Sequence, residues 1–219
     1  MKKTISLAIA FLPVLIAITF NKSAAQMSKM DMRTASFKTT AADELRTTLR
    51  QLWEDHAMYT RNVILNIIDD LPGTNEAVVR LLQNQDDIGN AIKPVYGEEA
   101  GKKLSQLLHD HITIAADLLK AAKAGNQADF NSINDKWLKN ADDISSFLNA
   151  ANPKNWKLDD MKSMMHRHLD LTTQEAVARL KKDYKVDVEA FDKTRAELMD
   201  MSDMLAQGII NQFPDKFKN

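Results

Sequence analysis

Three histidines and three short acidic motifs alternate along the chain, and residues of these types could form a polar site. The motifs read NQDDI, NADDI and DMSDM, and each lies on the helix predicted to follow one of the histidines. The last aspartate of each motif follows its histidine by 31, 32 and 35 residues. Neutral imidazoles and carboxylates together bind zinc, iron, manganese and copper ions. The candidate metal ligands are His56, His111, His168, Asp87, Asp143, Asp203, Asn84, Asn140 and Asp200.

The helical period predicts which of these side chains point into the protein. Each of the three histidines has mostly apolar neighbours three or four residues away in both directions, as on a buried helix face. The inward set also contains Asn84, Asn140 and Asp200, whereas the aspartates that end the motifs lie at the edge of the buried face. His109 and His166 are turned by about 200° from the inward histidines, which predicts that they face solvent.

The predicted hairpins place these groups at one height. In an antiparallel hairpin, two residues lie side by side when the midpoint between them falls in the turn. The midpoint between His56 and Asp87 falls between Leu71 and Pro72, in the predicted turn, and the midpoints of the other two pairs fall in or beside predicted turns. The sequence therefore predicts one polar layer that crosses the whole protein.

Two interpretations of this layer remain open. In the first, it binds a metal ion or another small ligand, because the cores of helical bundles commonly hold such sites between facing helices. In the second, each histidine forms a hydrogen bond with an acid or amide of the next helix, and the network sets helix register without an ion. Buried polar groups are unfavourable unless they are satisfied, so the layer needs one of these roles.

Methionines form three clusters, at residues 27–32, 161–165 and 199–204. Thioethers are soft ligands that select copper(I), and Met164, Met165, His166 and His168 together could form a stretch that binds copper. Methionines at helical spacing also fill hydrophobic cores, which is their more common role. Copper is therefore retained as one candidate ion.

The apolar residues follow a helical period almost throughout and predict an all-α, up-and-down antiparallel bundle of about six helices, or three helical hairpins. Thr39 or Thr40 is the predicted N-cap of the first helix, and Pro94 with Gly97 is expected to end the second. The predicted helices cover about residues 41–70, 75–92, 98–123, 127–149, 157–182 and 186–212.

The amino-terminal residues have the three-part pattern of a secretory signal peptide. Lys2 and Lys3 precede an apolar run at residues 5–20, and Ser23-Ala24-Ala25 supplies small residues for cleavage near Ala25. The predicted product is periplasmic or extracellular, with no stable membrane anchor after cleavage. The remaining chain divides into a flexible leader, a helical bundle domain and a C-terminal tail, at residues 26–38, 39–213 and 214–219.

Composition argues against several classes of protein. Loss of residues 1–25 removes three lysines and takes the formal net charge from −1 to −4, whereas nucleic-acid-binding proteins are strongly basic. The chain has no cysteine, so disulfides and a lipid-modified cysteine are excluded. An enzyme is the least favoured class, because the sequence has no glycine-rich phosphate loop, no Gly-x-Ser-x-Gly and no thiol nucleophile.

Five stretches resemble a family of bacterial exported helical-bundle proteins for which no activity is established. They are RLLQNQDDIGNAIKPVYGEEAG (80–101), LLHDHITIAADLLKAAKAG (107–125), WLKNADDISSFLNAANP (137–153), HLDLTTQEA (168–176) and QFPDKF (212–217). The resemblance implies an exported helical bundle and implies nothing about chemistry. The sequence thus predicts an exported binding protein with an internal polar layer, or else a structural or protein-interaction bundle without a ligand.

Overall fold

The computed structural model describes residues 40–218, which confirm the predicted all-α bundle of six helices. The predicted signal peptide and leader lie outside these residues. No strand occurs within residues 40–218, and a single turn of 3-10 helix, Pro214–Lys216, follows the last helix. The helices are α1 Ala41–Ile68, α2 Thr74–Tyr96, α3 Glu98–Lys123, α4 Gln127–Ala151, α5 Leu158–Leu180 and α6 Tyr184–Gln212.

The ends of α1 and α2 show which local signals the chain follows. Thr40 is the N-cap of α1, as predicted, and forms a capping box in which it accepts from the Asp43 N–H while the Asp43 carboxylate accepts from Thr40. The prediction that Pro94 ends the second helix is wrong, because α2 continues through it to Tyr96. Proline removes only one N–H donor, and the helix ends at Gly97, whose φ is 88°.

The six helices form a closed ring of neighbours. Each helix packs against the next one along the chain, and α6 packs back against α1. Side chains join this last pair, since Arg46 Nη2 donates to Gln207 Oε1 at 2.9 Å and Arg195 Nε donates to Glu54 Oε1 at 2.6 Å. The α1 helix also contacts α3 and α5. Closure of the ring is what allows residues from three successive hairpins to meet in one core.

Two glycines allow α2 and α3 to approach closely. A Cβ atom on Gly89 would lie 2.6 Å from the Gly101 carbonyl oxygen and 2.1 Å from Ser105 Oγ. A Cβ atom on Gly101 would lie 2.6 Å from the Gly89 carbonyl oxygen. The serine side chain can rotate away, but the backbone oxygens cannot move without separating the two helices. Glycine at both positions therefore sets the distance between α2 and α3.

Gly89→Ala should lower the free energy of unfolding by about 2 kcal/mol, because the added methyl group overpacks the contact between α2 and α3. Urea unfolding followed by circular dichroism measures this loss. Asn90→Ala is the matched control, since Asn90 is the next residue of the same helix and is exposed; it should change stability by less than about 0.5 kcal/mol. Equal stabilities for the two variants would contradict a close backbone contact at Gly89.

After α6, the chain packs against the bundle through Phe213 and, in the predicted C-terminal tail, through Lys216 and Phe217. The Phe213 and Tyr96 rings meet edge to face with centroids 5.4 Å apart, and Phe217 packs against the same core. Lys216 Nζ donates to the Pro94 carbonyl oxygen at 3.2 Å. None of the helices within residues 40–218 is long and apolar enough to cross a membrane.

Candidate functional site

The three predicted histidines meet in the core of the bundle. His56 of α1, His111 of α3 and His168 of α5 are 2, 3 and 4% exposed. The centroid of the His168 ring lies 5.9 Å from that of His56 and 6.2 Å from that of His111. Two tryptophans flank the outer rings, since Trp53 contacts His56 at 5.4 Å and Trp137 contacts His111 at 5.3 Å between centroids. The prediction that these histidines point inward is confirmed.

Each histidine has its Nδ1 atom beside a polar group of the next helix. The distances from Nδ1 are 3.3 Å to Gln85 Nε2 for His56, 2.7 Å to Asn140 Oδ1 for His111, and 3.4 Å to Glu197 Oε2 for His168. The partner follows its histidine by 29 residues in the first two pairs. Glu197 also follows His168 by 29 residues in the sequence. The spacing of 29 residues is thus repeated in all three hairpins, although His168 Nδ1 makes no hydrogen bond with Glu197.

The two asparagines of the layer also hold the backbone of the neighbouring helix. Asn84 Nδ2 donates to the Leu52 carbonyl oxygen at 3.0 Å, and Asn140 Nδ2 donates to the Leu107 carbonyl oxygen at 3.0 Å. Each carbonyl belongs to the residue one helical turn before a layer histidine. Because Asn140 Nδ2 is used in this way, its Oδ1 faces His111 and accepts the Nδ1 proton, which leaves the lone pair on His111 Nε2.

The three imidazole rings line one cavity in the core. Its volume is about 40 Å³, whereas a volume of about 10–15 Å³ is enough for one water molecule. The rest of its wall is almost entirely apolar or aromatic and includes Trp53, Trp156, Met165 and Met201. The indole Nε1 atoms of Trp53 and Trp156 are buried without a hydrogen-bond partner. The cavity has room for a few waters or an ion with its waters, and is much smaller than a cavity of about 150 Å³, the size that binds benzene.

Burial keeps the outer two imidazoles neutral. It lowers the pKa of His56 to about 3, with further lowering by His168 and His111, against hydrogen bonds from Gln85 and Asn84. Burial and the neighbouring His168 ring likewise lower the pKa of His111 to about 3, although its hydrogen bond with Asn140 acts in the opposite direction. Neutral imidazole is the form that binds metal ions, and no proton has to be removed from either ring at neutral pH to produce it.

The prediction for the third motif is wrong at Asp200, which is exposed rather than inward. The inward face of α6 runs through Glu197, Leu198 and Met201. Asp200 precedes Met201 by one residue and is therefore turned by about 100° away from that face. Sequence reasoning placed the acidic partner of His168 in the DMSDM motif, whereas Glu197 lies three residues before this motif.

The aspartates that end the motifs also lie away from the histidines. Asp143 is exposed and its Oδ2 accepts from Lys139 Nζ of its own helix at 2.7 Å, and Asp203 Oδ2 lies 3.4 Å from Arg50 Nη1. Asp87 is half-buried at the edge of its helix face, as predicted. No hydrogen bond or ion pair within residues 40–218 joins any of these aspartates to a layer histidine.

The first aspartate of each Asp-Asp pair instead binds one of the two surface histidines, His109 and His166. His109 Nε2 lies 3.0 Å from Asp86 Oδ1, and His166 Nε2 lies 2.9 Å from Asp142 Oδ1. Asp142 also accepts from Lys162 Nζ at 2.9 Å. Both histidines are partly exposed at the surface, so these pairs join neighbouring helices outside the core.

A second buried polar cluster, which sequence reasoning missed, joins α1, α5 and α6. Arg61 Nη1 donates to Glu175 Oε1 at 2.6 Å and to Asp187 Oδ1 at 2.7 Å. Both carboxylates are 1% exposed. Arg179 also binds Asp187, at 3.3 Å, and binds Asp69 at the surface. Burial raises the pKa of Glu175 to about 7, although the Arg61 guanidinium opposes this shift.

The helical period of α5 could have predicted that Glu175 is buried. Glu175 follows His168 by seven residues and therefore lies on the same helix face two turns later. Its partners are far away in sequence, which hid the pairing: Arg61 lies 114 residues before Glu175 and 126 before Asp187. The cluster is a set of buried ion pairs that clamps α1, α5 and α6 together.

The histidine layer is therefore the strongest candidate for a functional site. Among residues 40–218, no group of three or more histidine, aspartate or glutamate side chains is already spaced to hold a metal ion. Ion binding would need the rings to move closer together. Comparison of the chain with protein-family models, curated proteins and solved structures gives no match.

Proposed function

We propose that this protein is an exported binding protein and that the cavity between its three buried histidines is the binding site. The ligand that the chemistry favours is a transition-metal ion, with zinc, iron, manganese and copper as the candidates. One observation carries the proposal: three buried imidazoles from three hairpins line a single cavity. The size of the cavity supports an ion with a few waters in preference to an organic molecule.

The groups behind the histidines support the same ligand. Histidines that bind metals almost always have their second ring nitrogen held by a carboxylate, a carbonyl oxygen or water. Asn140 Oδ1 holds His111 in this way, and a carboxylate lies beside Nδ1 of His168. Gln85 Oε1 is buried without a partner. Gln85 Nε2 donates to the Leu81 carbonyl oxygen at 2.8 Å and to Asn84 Oδ1 at 3.1 Å, so the amide nitrogen is the group that faces Nδ1 of His56.

Export is part of the proposal. It is supported by the signal-peptide pattern of residues 1–25 and by the resemblance to exported bacterial bundles. In the periplasm or outside the cell, a chain without cysteine would have to bind a transition metal through histidine, methionine or carboxylate groups. Imidazole is the only one of these that occurs three times around the core cavity.

The test is the metal content of the exported protein, purified without a histidine tag or chelator and measured by plasma mass spectrometry. We expect a stoichiometric transition metal in the wild-type protein and its loss in His111→Gln. His109→Gln is the matched control, because His109 lies two residues away on the same helix and faces the surface. This control should keep its metal.

A metal-free protein that takes up none of zinc(II), iron(II), manganese(II) or copper(II) on dialysis would overturn the metal proposal. Retention of the metal in His111→Gln would overturn the assignment to this cavity. Circular dichroism of each variant checks that a loss of metal is not a loss of fold.

The alternative function is a structural or protein-interaction bundle in which the layer sets helix register. One observation favours it: Asn84 and Asn140 make equivalent hydrogen bonds to backbone carbonyls one turn before His56 and His111. A shift of register would break these bonds and leave buried groups unsatisfied, at a cost of about 1–3 kcal/mol for each group. A protein that binds no ion leaves this role as the function of the layer.

A further inference from the structure

Two of the methionine clusters meet at a pocket between α5 and α6. Met161 and Met164 of α5 and Met201 and Met204 of α6 line one side of an open pocket of about 400 Å³. Met161 and Met201 belong to the core, with exposed fractions of 2 and 3%, whereas Met164 and Met204 are half-buried at the pocket. Core packing accounts for the first two methionines, and the other two line the pocket from its half-buried edge.

The same pocket is lined by a buried carboxylate that needs a cation. The Glu197 side chain is 6% exposed, and neither of its oxygens has a hydrogen-bond partner. The closest basic atom is His168 Nδ1, 3.4 Å from Oε2 and without hydrogen-bond geometry. A buried carboxylate in this state is strongly unfavourable unless a cation lies beside it. This observation is independent of the methionines and points to a positively charged ligand.

The charges around the pocket favour a cation as well. Besides Glu197, two exposed carboxylates line it, Asp160 of α5 and Asp200 of α6. Arg167 is the only basic residue among those that line it. Three carboxylates against one guanidinium give the pocket a negative potential, which raises the local concentration of cations.

The ligand atoms select the kind of cation. The carboxylates, Asn155 and Ser163 of this pocket offer the oxygen ligands that calcium and magnesium ions use, whereas only a soft ion would use its four thioethers. Thioethers are soft ligands that prefer copper(I). We propose that the pocket between α5 and α6 binds a monovalent soft metal ion, copper(I), through methionine sulfurs, with Glu197 as the balancing charge.

This site adjoins the histidine cavity but can be altered without it. Met201 lines both spaces, and the contact between His168 and Glu197 lies between them. Substitutions at the outer methionines, Met164 and Met204, leave the imidazoles in place. The two proposals can therefore fail separately.

The experiment first titrates the exported protein with silver(I), a soft ion that does not change its oxidation state. The protein is then titrated with copper(I) under argon, in competition with a chromogenic copper(I) chelator. We expect stoichiometric binding that calcium does not displace. Met164→Leu/Met204→Leu should lose it, because leucine keeps the packing but has no sulfur. Glu197→Gln should weaken binding by roughly 10- to 100-fold, as expected when a supporting group at a metal site is removed.

Two controls locate the site. Met199→Leu lies on the same helix and is half-buried outside the pocket, so it should bind as the wild type does. His111→Gln should also bind silver(I) normally, even if it loses the ion of the histidine cavity. Thermal unfolding of each variant checks the fold. Absence of silver(I) binding, or unchanged binding in Met164→Leu/Met204→Leu, would overturn the proposal.

Discussion

Replacement of Arg61 by leucine should lower the free energy of unfolding at pH 7.5 by about 3–5 kcal/mol. The Arg61 guanidinium forms the ion pair with Glu175, and Arg61 and Arg179 both form ion pairs with Asp187. Both carboxylates are almost fully buried. Leucine would fill much of the space but would leave two acids without their nearest cation. Urea unfolding followed by circular dichroism measures the loss.

Arg195→Leu is the matched control for this prediction. Arg195 forms a short ion pair with Glu54 between the same two helices, α6 and α1, but its side chain is 51% exposed. An ion pair in contact with water contributes at most about 1 kcal/mol. A similar small loss in Arg61→Leu would show that the buried acids are not held by Arg61 and would contradict the clamp.

Stability should fall as the pH is lowered from 6.5 to 4.5 in protein freed of metal ions. The pKa of His56 and His111 is about 3 in the folded chain, against 6.5 when unfolded, so unfolding takes up two protons in this range. Glu175 opposes this change, since its pKa is about 7 when folded and 4.5 when unfolded, and unfolding releases one proton. The net uptake of one proton corresponds to a loss of about 1.4 kcal/mol per pH unit.

The double variant His56→Gln/His111→Gln should reverse the sign of this dependence. Without the two imidazoles only Glu175 remains among the three groups, and its raised pKa makes the folded state gain stability as the pH falls from 7 to 4.5. Urea unfolding at pH 7.5, 6.5, 5.5 and 4.5 measures both slopes. A double variant that loses stability at the wild-type rate would mean that other groups cause the acid sensitivity.

Most of the fold could be predicted because its signals are local. The apolar period located six helices, and the preference of threonine for N-caps placed the start of the first one at Thr39 or Thr40, of which Thr40 is the cap. The error at Pro94 has a physical reason. A proline in the last turn of a helix removes one hydrogen bond there, and the chain ends α2 only at Gly97, which adopts a positive φ.

The candidate site could be predicted only in part. The period of 3.6 is enough to place His56 and His111 on inward faces, since it requires only neighbours on the same helix. The partner of His168 was not predicted, because the resemblance of the DMSDM motif to the other two acidic motifs indicates a partner within that motif. The constant spacing of 29 residues leads instead to Glu197. The Arg61 cluster depends on which helices adjoin across the ring, and no local pattern carries that information.

The contact between α1 and α6 also determines how the first and last of the described helices lie relative to each other. Arg46, near the start of α1, forms a hydrogen bond with Gln207, near the end of α6. The two helices therefore run in opposite directions, and the two ends of the described chain lie at the same end of the bundle. The contacts between helices therefore do not depend on which of the connections around the ring is left open. A cyclic chain, cut at any other connection, would present the same six neighbours in the same order. Removal of one hairpin has the opposite consequence, because it would open the wall and bring water to the imidazoles that the closed ring keeps neutral.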